Sequence, residues 1–357
     1  MSSHSDPVVI VGGGQSGLAA ARAVRAAGLR PLVLEAGDRP VGSWPGYYDS
    51  LTLFSPARYS ALDGLDFPGD TDHYPHRDEV VAYLERYAAA LDAEIRTGVR
   101  VTSVTSSGRA FLVHTADGEQ IAASGVVAAG GARPLVPDLP GAAGFTGELL
   151  HVAGYRNPKP YAGKRVVVVG GGNSAVQIGH ELAEVASVTL ASHAPVQFLP
   201  QRRRGQDVHH WAVTSGFDRL PPEWLIHLVP GRLVNDSGLY QRALQDGAME
   251  RRPMFTALDG DNVLWADGAA ERVDAVLLAT GYVPNLPYLA ELGALDANGM
   301  PLHTGGPSST HPGLGYLGLE FQRSFASNTL RGVSRDAEHV IAAVAAYAGG
   351  APAAIGL

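Results

Sequence analysis

A glycine-rich turn at residues 12–17 constrains the fold of this chain more than any other feature. The turn reads GGGQSG, a GxGxxG pattern, and it follows Val8–Val11, a β-branched run typical of a buried parallel strand. An alanine-rich helical stretch begins at Leu18, and Gly28 suits its C-terminal cap. A strand, a GxGxxG turn and a helix in this order predict one half of a dinucleotide-binding fold.

Each position of this turn has a physical reason. Gly12 permits the sharp bend out of the strand, Gly14 lets a pyrophosphate approach the backbone, and Gly17 lets the helix pack against the strand. Gln15 and Ser16 stand at the helix N-terminus, where free N–H groups and the helix dipole favour an anion. We therefore assign all five residues to a dinucleotide site.

A carboxylate supports this assignment. Glu35 ends the next predicted strand, 32–35, at the distance expected for binding the ribose diol of the nucleotide. The alternative is a tight turn without a ligand. Because strand, turn, helix and acid are all present, the sequence favours the dinucleotide.

A second unit of the same kind begins at Lys164. Val166–Val169 is the predicted strand, and residues 170–175 read GGGNSA, a GxGxxA pattern at the start of a helix. The sequence thus predicts two separate dinucleotide sites. The residues assigned to the second are Gly170, Gly172, Asn173, Ser174 and Ala175.

The end of the second unit's next strand bears on which nicotinamide nucleotide binds. Ser192 and His193 stand there instead of an acid, which permits the 2′-phosphate of NADPH, and both side chains can hydrogen-bond a phosphate or a hydroxyl. No arginine occupies this position either, so we expect both NADPH and NADH to be accepted. Arg202–Arg204 could fold onto the 2′-phosphate, although a solvated basic loop explains them at least as well.

Composition excludes several classes of protein. The chain has 357 residues and no cysteine, which excludes a disulfide framework, a thiolate metal site and a cysteine redox relay. A net charge of -8 argues against nucleic acid as the partner. The N-terminus lacks a signal-type pattern, and Gly349–Pro352 interrupts the uncharged tail, so we expect a cytoplasmic protein without membrane contact. A homodimer is left open.

Three further motifs carry a family resemblance. Residues 145–155 read FTGELLHVAGY and match the fingerprint FxGxxxHxxx(Y/F) at every fixed position. Ala279–Tyr282 matches ATG(Y/F), and residues 42–44 resemble GGxW, with Val41 in place of its first glycine. With the two glycine turns, these motifs resemble the compact bacterial flavin-containing monooxygenases over about residues 8–347.

The resemblance implies an α/β fold of two Rossmann-like domains. Each would have three layers (ββα), as in glutathione reductase and the flavin monooxygenases, and the second would be inserted in the first. We expect residues 1–161 and 271–357 to form the FAD-binding domain and residues 162–270 the NAD(P)H-binding domain.

The same resemblance implies the cofactors and the reaction. FAD would lie in the first site, with contacts from Ser43, Trp44, Val101, Thr329 and Leu330, the last two at a helix N-terminus that would stabilise reduced flavin. NADPH or NADH in the second site would reduce it. A flavin hydroperoxide would then transfer one oxygen atom from O₂ to a small-molecule substrate, a thioether sulfur or amine nitrogen, with a ketone as a further option.

Some positions depart from the family pattern. Phe54 stands where many members place an asparagine beside the flavin, so no catalytic residue is assigned and Phe54 is expected to form an apolar wall. Tyr155 replaces the tryptophan usual in Baeyer–Villiger monooxygenases, which leaves ketone oxidation open. His151 is expected to be structural. His209–Trp211 has no second ligand group for a metal and is expected on a helix or loop near the domain interface.

Other functions share the two-nucleotide plan. A disulfide reductase needs a cysteine pair, which this chain lacks. An NAD(P)H oxidase or quinone reductase that makes peroxide, an oxidase of arsenicals and a non-catalytic nucleotide-binding protein are the remaining alternatives.

Overall fold

A computed structural model describes residues 6–228 and 233–350. The end of the uncharged tail, residues 351–357, lies outside the described residues. The strands are β1 (Val8–Val11), β2 (Pro31–Leu34), β3 (Glu94–Arg96), β4 (Val101–Ser107), β5 (Ala110–Thr115), β6 (Gln120–Ala123), β7 (Gly125–Ala128), β8 (Ala132–Pro134), β9 (Glu148–His151), β10 (Arg165–Val169), β11 (Ser187–Ser192), β12 (Gln197–Pro200), β13 (Arg202–Arg203), β14 (Gln206–Asp207), β15 (Leu233–Asp236), β16 (Glu250–Pro253), β17 (Ala257–Asp259), β18 (Asn262–Leu264), β19 (Ala270–Arg272), β20 (Ala275–Leu278), β21 (Tyr282–Pro284) and β22 (Leu314–Tyr316). The α-helices are α1 (Gln15–Ala26), α2 (Arg77–Ala90), α3 (Asn173–Ala183), α4 (Val208–Thr214), α5 (Pro222–Leu228), α6 (Leu239–Gln245) and α7 (Leu330–Ala348).

The first layered unit is built on a parallel sheet of order β22-β7-β1-β2-β3. Side chains alternate along β1: Val8 and Ile10 pack with the core under α1 and α7, whereas Val9 and Val11 face the antiparallel sheet β4-β5-β6. A strand that is covered on both faces needs a continuous apolar run, which explains the sequence of Val8–Val11.

The second unit repeats the arrangement with a parallel sheet of order β16-β11-β10-β20-β9. Val166 and Val168 pack with α3, and Val167 and Val169 face Phe255 and the other apolar side chains of the antiparallel sheet β17-β18-β19. The chain is therefore an α/β protein with two three-layered Rossmann-type units, as the sequence predicted.

The second sheet takes two strands from outside residues 162–270. β9 and β20 lie in segments that the sequence analysis placed in the FAD-binding domain, yet both pair within the sheet of β10. The antiparallel pair of β8 and β21 joins the two units. The division of the chain into domains stays a prediction, and the pairing favours limits near residues 148 and 278 for the second unit.

A segment between β11 and β15 contacts both units. Phe198 packs with the core of the second unit, whereas Gln201 donates a hydrogen bond to Phe54 of the first unit and Asp207 accepts one from Tyr74. We call residues 197–228 the bridging segment; it contains β12, β13, β14, α4 and α5. None of the described helices is both long and apolar enough to span a membrane.

Candidate functional site

The first glycine turn packs too closely for side chains. Gly12 has a φ of +107°, and a Cβ there would lie 2.4 Å from the carbonyl oxygen of Ala129, at the end of β7. A Cβ on Gly17 would lie 1.8 Å from the carbonyl oxygen of Gly12. The turn therefore holds the start of α1 against the ends of β1 and β7. Gly14 caps α1 without any side-chain hydrogen bond, which leaves first-turn N–H groups for an anion.

Glu35 lies beside this turn. Its buried carboxylate accepts hydrogen bonds from the N–H groups of Gly13, at 2.5 Å, and Gly37, at 2.7 Å. Val101, assigned to the same site, is the buried first residue of β4, two residues after Val99, whose N–H donates to the carbonyl of Glu35. The spacing argument therefore gave the correct position for the acid, and its role in binding a ribose stays a prediction.

Gln15 connects the turn to two other predicted contacts. Its Oε1 accepts a hydrogen bond from the indole Nε1 of Trp44 at 2.6 Å, and its Nε2 donates to the carbonyl of Asn328 at 3.2 Å. Asn328 precedes Thr329, the N-cap of α7, whose hydroxyl donates to Ala326 rather than capping the helix. The N-termini of α1 and α7 thus face one region.

The other assigned residues surround the same turn. Ser43 is exposed, and its hydroxyl contacts that of Tyr47 at 3.2 Å. Ser16 approaches the chain after β22 so closely that a Cβ on Gly318 would lie 2.2 Å from its Oγ. Leu330 is buried at the start of α7. Two uncapped helix N-termini and a carboxylate at the turn fit the pyrophosphate and ribose of a dinucleotide.

The second turn has the same construction. Gly170 has a φ of +142°, and a Cβ there would lie 2.5 Å from the carbonyl oxygen of Ala279, at the end of β20. Gly172 caps α3 without a side-chain hydrogen bond, and Ala175 is buried in place of the third glycine. These features also fit a pyrophosphate at a helix N-terminus.

Polar side chains of α3 begin next to this turn. Asn173 is the first residue of α3, and its Oδ1 accepts a hydrogen bond from the N–H of Asn235 in β15 at 3.2 Å. Ser174 follows it, half-buried. The side chain of Asn173 therefore joins α3 to β15, a contact that the sequence did not predict.

The end of β11 itself carries no arginine, as the sequence shows, but an arginine from the neighbouring strand reaches it. Arg251, from the adjacent strand β16, donates through Nε to the Oγ of Ser192 at 3.0 Å and through Nη2 to the Ser192 carbonyl at 2.7 Å. His193 is exposed beside it. Sequence reasoning looked for a basic residue at the end of β11 itself, whereas the parallel pairing of β11 with β16 supplies one from 59 residues along the chain. The one signal in the sequence was the basic pair Arg251-Arg252, within the segment predicted as the NAD(P)H-binding domain.

The basic loop of residues 202–204 lies elsewhere. The side chain of Arg202 interacts with the hydroxyl of Tyr74, in the first unit, and Arg203 and Arg204 are exposed. The contact of Arg202 therefore joins this loop to the first unit rather than to the end of β11.

His151 of the fingerprint is a structural residue. Its Nδ1 accepts a hydrogen bond from the N–H of Ala153 at 3.1 Å, and its Nε2 donates to the carbonyl of Gly281 at 3.1 Å. Burial lowers its pKa, which favours the neutral ring that this pattern requires. The histidine therefore ties the end of β9 to the segment after β20.

Phe54 is an exposed aromatic side chain in contact with the bridging segment. Its ring is 40% exposed and stacks on His209 of α4, with centroids 5.9 Å apart and planes inclined by 18°. Gln201 donates to the carbonyl of Phe54 at 2.9 Å. Residues 209–211 lie on the helix α4, one of the two predicted alternatives, and their place near a domain interface stays a prediction. No group of side chains in the described part of the chain could hold a metal ion.

The chain resembles known flavoproteins. The family described as "Pyridine nucleotide-disulphide oxidoreductase" matches residues 9–211. A flavin-containing monooxygenase from Stenotrophomonas maltophilia is 32% identical, and the superposition covers 96% of this chain and 98% of that chain with a TM-score of 0.83. A CzcO-like oxidoreductase of Geobacillus kaustophilus is 29% identical over 95% of this chain and 98% of its own length. The indole-3-pyruvate monooxygenase YUCCA1 of Oryza sativa is 31% identical over 80% of this chain and 79% of its own length.

The motifs, the two layered units and these relatives agree. The chain belongs to the pyridine nucleotide-disulphide oxidoreductase family and, within it, to the flavin-containing monooxygenases, which are FAD- and NAD(P)H-dependent oxidoreductases.

Proposed function

We propose that this monooxygenase transfers one oxygen atom from O₂ to a soft nucleophile, a thioether sulfur or an amine nitrogen. The observation that carries the proposal is the combination of two glycine turns and an exposed apolar ring, Phe54, without any cysteine in the chain. Reduction of a disulfide needs a thiol pair, so this route is closed despite the family's name. An apolar wall favours an uncharged, polarisable substrate and keeps water away.

We propose that FAD occupies the first turn and NAD(P)H the second. Gly12, Gly14, Gln15, Ser16, Gly17, Glu35, Ser43, Trp44, Val101, Thr329 and Leu330 would hold FAD, and Gly170, Gly172, Asn173, Ser174, Ala175, Ser192 and His193 the nicotinamide nucleotide. Bound FAD supplies electron transfer from NAD(P)H and activation of O₂. The polypeptide binds and orients both nucleotides and excludes water.

Arg251 adds a cation to the proposed adenosine end of the second site. Its guanidinium makes two hydrogen bonds to Ser192, and Nη1 makes none within the described residues. A guanidinium with a free N–H suits a phosphate better than a ribose hydroxyl. We therefore propose that NADPH is preferred while NADH is still accepted.

Product analysis tests the proposal. The purified protein is assayed for bound FAD, for NADPH and O₂ consumption, and for product under ¹⁸O₂ with methyl phenyl sulfide, N,N-dimethylaniline and indole-3-pyruvate, the last because relatives carry its name. We expect one ¹⁸O atom in the sulfoxide or N-oxide and little peroxide. Peroxide equal to the NADPH consumed, with all three probes unchanged, would identify an oxidase. Labelled product from indole-3-pyruvate alone would move the substrate class to 2-oxo acids.

A further inference from the structure

A buried pair of side chains on the bridging segment, Asp207 and His209, is not used by the function proposed above. His209 is 4% exposed, and its Nδ1 lies 2.7 Å from the Oδ1 of Asp207. The imidazole stacks on two aromatic rings of the first unit, Phe54 at 5.9 Å and Tyr59 at 6.3 Å between centroids. The ring is therefore held at Nδ1 by Asp207 and by two stacked aromatic contacts.

Asp207 is held as a carboxylate. Its oxygens accept hydrogen bonds from the His209 backbone N–H at 2.8 Å, from Tyr74 at 2.5 Å and from Gln201 at 2.7 Å, besides the imidazole. Burial alone would raise the pKa of Asp207, but these hydrogen bonds outweigh it and lower the pKa to about 2. A permanent acceptor opposite Nδ1 fixes the neutral imidazole in the tautomer that carries its proton on Nδ1.

The other nitrogen of His209 is left available. Nε2 has no hydrogen-bond partner within the described residues. It is also not among the fully buried side-chain nitrogen and oxygen atoms that lack such a partner. Since Nδ1 carries the proton, Nε2 presents a lone pair at the edge of the ring that stacks on the exposed Phe54.

Hydrogen bonds connect the segment that carries this histidine to the helix α7, whose start faces the first turn. The bridging segment reaches α7 through Asp218, whose carboxylate accepts both Nε and Nη2 of Arg331 at 2.7 and 3.0 Å. The residue Asn328, just before α7, binds Gln15 of the turn. The bridging segment that carries His209 is therefore tied, through Asp218, to Arg331 in the first turn of α7.

We infer that Asp207 and His209 form a proton-transfer pair on the Phe54 side of the active site. Nε2 of His209 is the atom that exchanges the proton, and Asp207 is a positioning residue. Oxygenation consumes one proton: NAD(P)H, H⁺, O₂ and substrate S give NAD(P)⁺, SO and H₂O. NAD(P)H and S each give up two electrons, O₂ takes up four, and the proton leaves in the water. This inference rests on the proposed function.

Neighbouring groups bear on any pH dependence. The hydroxyl of Tyr59 faces Nδ1 of His210 at 3.5 Å, and burial raises the pKa of both Tyr59 and Tyr74. The titratable and charged groups around His209 and its partners are Asp207, Tyr74, Tyr59, His210, Arg58, Asp72, Arg202, Asp218 and Arg331.

Two variants of the FAD-loaded enzyme test the inference. His209→Phe keeps an aromatic ring against Phe54 and Tyr59 but removes both ring nitrogens, and His210→Phe is the matched control on the same helix. We expect His209→Phe to lower the rate of product formation at least ~10-fold, as loss of a general acid or base does, and to flatten its pH profile. His210→Phe should keep the profile of the wild type. An unchanged rate and profile in His209→Phe would overturn the inference.

A measurement without turnover covers the case in which His209→Phe fails to fold. Two-bond ¹H–¹⁵N NMR spectra of the imidazoles report the tautomer of each histidine in the wild-type holoenzyme. We expect the proton of His209 on Nδ1, and a ring signal that moves when NADP⁺ and methyl phenyl sulfide are added. A proton on Nε2, or a signal that ignores the ligands, contradicts the inference. If the wild type binds FAD yet oxygenates no probe, the proposed function is wrong. The NMR spectra then still report whether His209 carries its proton on Nδ1 and responds to the ligands.

Discussion

The guanidinium of Arg251 holds Ser192 at two points, the side-chain hydroxyl and the backbone carbonyl, at 3.0 and 2.7 Å. The two residues stand on adjacent parallel strands, where the register pairs Ser192 with Pro253 and Leu190 with Arg251. A side chain from one strand thereby fixes the C-terminal end of its neighbour. In an α/β sheet this end is where ligands bind.

Replacement of Arg251 is expected to change the preference between the two nicotinamide nucleotides. Arg251→Gln should raise the KM for NADPH about 10- to 100-fold relative to NADH, because a charge-assisted hydrogen bond contributes about 1.5–3 kcal/mol. Steady-state kinetics with both nucleotides measure this ratio. Arg252→Gln is the control, since Arg252 is engaged with Trp265 and Asp267. Equal changes for NADPH and NADH would show that Arg251 only supports the strand.

A methyl group at the first glycine is expected to prevent FAD binding. Gly12→Ala combines a φ of +107° with a contact of 2.4 Å between the new Cβ and the Ala129 carbonyl oxygen. The turn must therefore open, and the strained backbone costs about 1–3 kcal/mol or more. We expect less than a tenth of the wild-type flavin content, measured by absorbance after gel filtration. Gly144→Ala is the control, because its Cβ meets nothing within 4 Å. Full flavin content in Gly12→Ala would place FAD elsewhere.

The parts of this fold that could be predicted are those that neighbouring residues encode. The two glycine turns and the position of Glu35 follow from segments of about 30 residues, because strand, turn and helix are specified locally. The structural role of His151 followed from the family resemblance, and its two hydrogen bonds agree with it.

What could not be predicted depends on pairing across long separations. The run of residues 275–278 fits a buried strand in either sheet, and only the tertiary structure pairs it with β10 and β9. His209 contacts Phe54 from 155 positions along the chain, and Arg251 reaches Ser192 from another strand. No local pattern reports which side chains meet at such distances.

The bidentate pair of Arg331 and Asp218 is expected to hold the bridging segment on α7. Both side chains are less than a tenth exposed, and Nη1 of Arg331 is fully buried without a hydrogen-bond partner. Asp218→Asn should therefore lower the free energy of unfolding by about 3–5 kcal/mol, because it leaves a buried cation unpaired. Urea denaturation measures the change. The double variant Asp218→Leu with Arg331→Met should recover most of the loss, and a loss below about 1 kcal/mol in Asp218→Asn would mean that solvent reaches the pair.

The carboxylate of Asp207 is expected to make stability depend on pH below about 4. Its folded pKa of about 2 lies below the ordinary value of 3.8, so the stabilisation is present above the unfolded pKa and is lost as pH falls through the folded one. The difference in unfolding free energy between wild type and Asp207→Asn should be about 2 kcal/mol at pH 6 and should shrink between pH 4 and pH 2. Urea denaturation at pH 6, 5, 4 and 3 measures it, with the exposed Asp38→Asn as control. If the difference in unfolding free energy stays constant down to pH 3, the side chain of Asp207 acts only through its shape. If the difference falls already near pH 5, the result contradicts the four hydrogen bonds that hold Asp207 ionised.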